Sequence, residues 1–154
     1  MNLLNRGKNG SIDLPLNKKA ILEYNIFRIE NIKNLIEYNI TIKDKTLLPN
    51  GKIISIDNDT KLTNNFVTHL CSNEIKFPLH VRNRCAGDVM KVLNLNGTKK
   101  VNDILIDCKV PNTLRDSIPI VTDDLGEIIW IPGIKKSHFD RLKTGKYDII
   151  LKYN

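Results

Sequence analysis

The sequence predicts a β-rich α+β domain with one or two short helices. Three observations carry this expectation. Several short segments alternate apolar and polar residues with a period of two. Turn-forming residues recur between those segments. Only one longer stretch has helical spacing. The chain has 154 residues, which suits a single domain over 1–154. Apolar residues make up 41% and charged residues 27%, so a packed core is feasible and wholesale disorder is excluded.

Taken in order, residues 24–29 read as a strand, and residues 38–42 alternate cleanly as another. Pro49-Asn50-Gly51 is a turn that leads into a strand over 52–56, and residues 65–70 are a further candidate. From Phe77 to Arg84 the alternation returns. Phe77, Leu79 and Val81 point one way, while His80, Arg82 and Arg84 point the other. A helix is expected over 99–106, with Gly97 as a loose turn, Thr98 as N-cap and Val101, Ile104 and Leu105 at helical spacing. Pro111 stops it, and residues 112–117 have room for one further helical turn. Two apolar runs, 118–121 and 127–131, flank Asp123-Asp124-Leu125-Gly126 and read as a hairpin, and a last strand covers 147–152. No internal repeat or flexible linker interrupts the chain.

The formal net charge is +7, from 24 Lys+Arg and 17 Asp+Glu. Part of that excess has a mundane source. Ile (22), Asn (19) and Lys (18) dominate while Ala occurs twice, the pattern of A/T-rich codons. Such drift favours Lys over Arg, so retained arginines are the better functional candidates, because the planar guanidinium binds phosphate or carboxylate bidentately. The charge is densest over 77–115, where Arg82, Arg84, Lys91, Lys99, Lys100, Lys109 and Arg115 face only Asp88, Asp103 and Asp107. This pattern points to an acidic partner. The alternative is a structural pair, for example Arg84 with Asp88.

Other classes are excluded. No run of 18 apolar residues exists to span a membrane, and the first residues lack a signal-peptide layout. Three well-separated cysteines, Cys71, Cys85 and Cys108, argue against a disulfide framework and fit a reducing cytoplasm. Ser-Gly-Gly-x-Asp-Ser, Gly-x-x-x-x-Gly-Lys-Ser/Thr and Gly-x-Ser-x-Gly are all missing, so no catalytic residue and no bound cofactor are expected. His69 and Cys71 lack further ligands at zinc spacing, so no metal site is expected either. Trp130, flanked by apolar residues, reads as core rather than as a base-stacking platform. The main chemical feature is Asn96-Gly97-Thr98-Lys99-Lys100. A glycine turn running into a helix start, with two lysines in the first turn, offers an anion site, with a solvated charged turn as the alternative.

Residues 77–134 carry an ordered series: Arg82-x-Arg84-x-x-Gly87-Asp88, Gly97-Thr98-Lys99-Lys100, Lys109-x-Pro111-x-x-x-Arg115 and Trp130-x-Pro132-Gly133. This series resembles the C-terminal domain of bacterial tRNA(Ile)-lysidine synthetases. Ile12-Asp13-Leu14-Pro15 and Glu23-Tyr24 fit, loosely, the segment that precedes the signature in longer members.

The resemblance implies a sandwich-like fold similar to a domain of the phenylalanyl-tRNA synthetase β-subunit. It also implies a function as the acceptor-stem recognition module of an enzyme that uses ATP, Mg and lysine. That enzyme converts the wobble cytidine of a CAU-anticodon tRNA(Ile) to lysidine. The catalytic pyrophosphate-loop domain belongs N-terminal to such a module and is absent from this sequence. By the same resemblance Arg82, Arg84, Lys99, Lys100 and Arg115 are the candidate tRNA contacts. Asp88, Asp103 and Asp107 become orienters of nearby basic groups or helix caps. An A-form stem is read chiefly through shape, backbone and 2′-hydroxyls. The alternative is a packing module, against a catalytic domain or a homodimer partner, with incidental basic charge.

Overall fold

The structure, a computed structural model, describes residues 9–32 and 35–154. The chain divides into two compact units, 1–35 and 36–154. The first unit is a three-stranded antiparallel sheet of β1 (Gly10–Leu14), β2 (Lys18–Glu23) and β3 (Ile26–Asn31). The strand expected over 24–29 starts at Ile26, because Tyr24 and Asn25 form the two-residue turn that pairs Glu23 with Ile26. Their φ values of 51° and 64° match the right-handed twist of a tight hairpin.

The second unit contains β4 (Asn39–Thr41), β5 (Lys45–Leu47), β6 (Ile53–Asp57), β7 (Val67–Leu70), β8 (His80–Asn83), β9 (Val89–Met90) and β10 (Lys99–Lys100). These are followed by α1 (Val101–Asp107), α2 (Asn112–Arg115), β11 (Pro119–Thr122), β12 (Ile128–Ile131), β13 (Lys135–Lys136) and β14 (Ile149–Tyr153). A five-stranded sheet runs β13-β12-β11-β8-β4, a four-stranded sheet runs β5-β6-β14-β7, and β9 pairs with β10.

Side chains from both large sheets meet in one core. Ile54, Leu70 and Leu151 come from the four-stranded sheet, and Val81, Val121 and Trp130 from the five-stranded one. This is the sandwich-like, β-rich arrangement expected. The opposite face of the five-stranded sheet is covered by α1 and β9, through Ile120, Ile128 and Ile131 against Met90, Val101 and Ile104. Covered on both faces, β12 is buried along its whole length, which explains its unbroken apolar run. Trp130 is fully buried, and its Nε1–H donates to Asn65 O at 3.0 Å. It is a core residue.

The hairpin around 123–126 forms as expected. Asp123 Oδ1 accepts from the amides of Leu125 and Glu127 at 3.0 and 2.9 Å, and Gly126 takes a φ of +82°. The expected helix over 99–106 is corrected. Lys99 and Lys100 pair with Met90 and Val89, which holds them extended, so the helix starts only at Val101. The residue at its N-cap is Lys100 rather than Thr98, and it makes no side-chain cap bond. The strand expected over 77–84 is confined to His80–Asn83. Among the described residues no helix is long and apolar enough to cross a membrane.

Candidate nucleic-acid interface

Arg82 lies on β8, between β4 and β11. Its guanidinium forks onto Asp88, with Nη1 to Oδ2 at 3.0 Å and Nη2 to Oδ1 at 2.9 Å, and Nη1 also donates to Asn83 O at 2.9 Å. Asp88 Oδ2 accepts from Cys85 N–H at 2.8 Å as well. The carboxylate therefore ties the strand end to the turn through Gly87, whose φ is +86°. The hydrogen bonds to Asp88 raise the pKa of Arg82, so the ion pair is secure at neutral pH.

The structural pair weighed from the sequence, Arg84 with Asp88, is replaced by Arg82 with Asp88. Arg84 lies one residue past β8, where it pairs with Asp116, and its backbone N–H donates to Ile118 O at 3.1 Å. Arg115, the last residue of α2, donates Nε–H to Val110 O at 2.9 Å. All three arginines are half-buried.

The lysines differ. Lys99 on β10 pairs with Asp107 at the end of α1, an interaction that raises its pKa. Lys100 is exposed and makes no ion pair among the described residues. Its backbone pairs with Val89, next to Asp88. Asp88 thus joins Arg82 to the β9–β10 ladder, while Arg84 reaches the residue that follows Arg115. Of the five expected residues, Arg82 lies on β8, Arg84 just past it, Lys99 and Lys100 on β10 and Arg115 on α2. Both lysines belong to a strand, so they precede the helix start rather than form its first turn.

Lys99 instead borders a pocket of about 230 Å³ with Asp107 and with Lys135 of β13. Lys135 was not selected from the sequence. It lies in the charge-neutral 116–154 stretch, and its neighbour Lys136 is buried against Asp140 at 3.4 Å. A larger pocket, about 430 Å³, is lined by Ile42, Ile56, Phe77, Leu79 and Leu151 and is apolar.

The family model "TilS substrate C-terminal domain" matches residues 79–148. The tRNA(Ile)-lysidine synthase of Bacillus licheniformis is 39% identical over 96% of the chain, and that of Bacillus subtilis is 42% identical over 97%. The chain spans about a third of the length of these curated relatives, 33% and 34%. A solved structure described as the crystal structure of a TILS C-terminal domain superposes with a TM-score of 0.68 at 33% identity. It covers 77% of this chain and 97% of that one.

Proposed function

Because the chain belongs to the TilS substrate C-terminal domain family, we propose that it is the tRNA-recognition module of a tRNA(Ile)-lysidine synthase. The observation that carries this reading is the similarity of nearly the whole chain to about a third of enzymes bearing that name. In this reading ATP, Mg and lysine are handled by a separate N-terminal catalytic domain, and the partner of this module is the acceptor stem of a CAU-anticodon tRNA(Ile). The protein works in the cytoplasm.

Lys99 and Lys100 reach phosphates, Arg84 and Arg115 add positive charge from half-buried positions, and Arg82, forked onto Asp88, positions the strand that pairs with Lys100. An A-form stem offers its backbone and 2′-hydroxyls to such a surface. Neutralising roughly 3–5 phosphates gives a slope of log K against log salt of about −2 to −4.5. Filter binding of tRNA across a salt series measures it. Lys100→Ala should lower the slope by about 1 and weaken all tRNAs alike. Salt-independent binding, or none at low salt, overturns the proposal.

A second reading, packing against another domain or a second copy, draws on the apolar pocket beside Phe77, which is half exposed. Size-exclusion chromatography with and without tRNA separates the two. Self-association without RNA binding favours the second.

A further inference from the structure

We propose that the pocket between α1, β13 and the 92–95 segment is a nucleobase pocket, which takes one unpaired base bearing an exocyclic amine. The proposal rests on the RNA-binding reading above and names the ligand of a part of that surface.

Its walls are mainly aliphatic: Val92 and Ile104 are almost wholly buried, Leu93 and Leu95 join them, and Asn94 and Cys108 also line the pocket. Its rim is charged with both signs, with Lys99 and Lys135 as donors and Asp107 as acceptor. Lys99 engages Asp107 Oδ2, which leaves Oδ1 for a second donor. Lys135 makes no ion pair among the described residues.

The volume and the mixed rim select among ligands. A lone phosphate has no use for four aliphatic side chains and is repelled by Asp107. A purely apolar ligand strips water from two ammonium groups and a carboxylate without replacing the hydrogen bonds. A base has two apolar faces and an edge of alternating donors and acceptors, which suits both walls and rim. The carboxylate accepts from an exocyclic amine such as cytosine N4, and a lysine donates to a ring nitrogen or carbonyl. Sequence-specific RNA recognition commonly reads such splayed bases.

The site is also preformed. Leu93 N–H donates to Lys136 O at 3.2 Å, Leu95 N–H to Val92 O at 3.2 Å, and His138 N–H to Lys91 O at 2.8 Å. Val92 bridges to Ser137. The wall is thus pinned to the segment around β13, and little ordering is needed when a base enters.

The test is a titration of the ¹⁵N-labelled chain with CMP, AMP and UMP, followed by amide NMR shifts. Expected are shifts at residues 92–95, 107 and 108, with CMP and AMP bound at least about fivefold tighter than UMP, the lower range for one read base edge. Asp107→Asn, an exposed substitution, should abolish that discrimination. Lys135→Gln should weaken all three nucleotides alike and preserve the discrimination. Equal binding of CMP and UMP, shifts confined elsewhere, or undiminished discrimination in Asp107→Asn each overturn the pocket. Salt-dependent tRNA binding that persists in any of these cases leaves the recognition module standing without this pocket. Nucleotide discrimination without tRNA binding sinks the module and keeps the pocket.

Discussion

Replacing Asp88 with alanine tests whether the Arg82 fork is a structural clasp. The substitution removes two guanidinium bonds, at 2.9 and 3.0 Å, and the 2.8 Å bond from Cys85 N–H. The side chains of Arg82 and Asp88 are 21% and 11% exposed, so the pair sits between a surface ion pair and a buried one. Surface pairs contribute about 0–1 kcal/mol, and breaking a buried pair costs about 3–5 kcal/mol. The expected loss is therefore about 2–3 kcal/mol, since a charged group is stranded but partly solvated. For a chain of this size that lowers Tm by about 5–10 °C, measured by circular dichroism. Arg82→Met should cost less, because Asp88 still accepts from Cys85, and the double variant should cost less than the two singles added. Binding supplies the second readout: Arg82→Met should leave the tRNA salt slope unchanged. A variant Asp88→Ala within about 0.5 kcal/mol of wild type refutes the clasp. So does an Arg82→Met protein that keeps its stability and loses about one unit of slope, because the fork then serves RNA.

Two further outcomes follow from buried features. His69 is 1% exposed, and burial lowers its pKa despite the opposing pull of Asp140, with Lys136 adding to the lowering. A neutral imidazole that resists protonation in the folded state makes stability full above the unfolded value near 6.5. Stability then falls as pH drops through 6.5 towards the folded value, by up to about 1.4 kcal/mol per pH unit. Urea melts of wild type and His69→Gln between pH 7.5 and 5.5 should differ in slope, and parallel curves contradict this assignment. Gly133 has a φ of +75°, and an added Cβ lies 3.0 Å from the Phe66 ring. Gly133→Ala should therefore cost more than about 1 kcal/mol in the same melts, with wild-type stability as the contrary result.

The parts of the fold that were legible are those whose signals are local. The β11–β12 hairpin carries its own turn, Asp123 to Gly126, and an apolar run on each side. The strands missed or displaced lack such signals. The β2–β3 turn uses Tyr24 and Asn25 at positive φ, where the sequence offers no glycine to mark it, so Tyr24 reads as the start of a strand. Lys99 and Lys100 have a helical segment directly after them, and only the pairing with Val89 and Met90 makes them a strand. Propensity cannot register a two-residue strand whose partner is nine or more residues away.

The same division governs the basic residues. Charge density alone picked out the 77–115 segment, and within it Asp88 links Arg82 to the strand that pairs with Lys100. Charge density does not reveal which cation is already spent. Asp88 serves Arg82 rather than Arg84 because the turn through Gly87 brings the carboxylate back to β8, a fact of backbone path rather than of spacing. Lys135 escaped notice for the converse reason: averaged over 116–154 its charge cancels, yet β13 places it beside Lys99 at a pocket rim. For a fold whose sheets join distant segments, the useful sequence quantity is therefore the charge left after pairing within the fold. On that measure the exposed Lys100 and the pocket-lining Lys135 outrank the arginines that first drew attention. Single substitutions at those two lysines should change RNA affinity more than stability, and substitution of Arg82 should do the reverse.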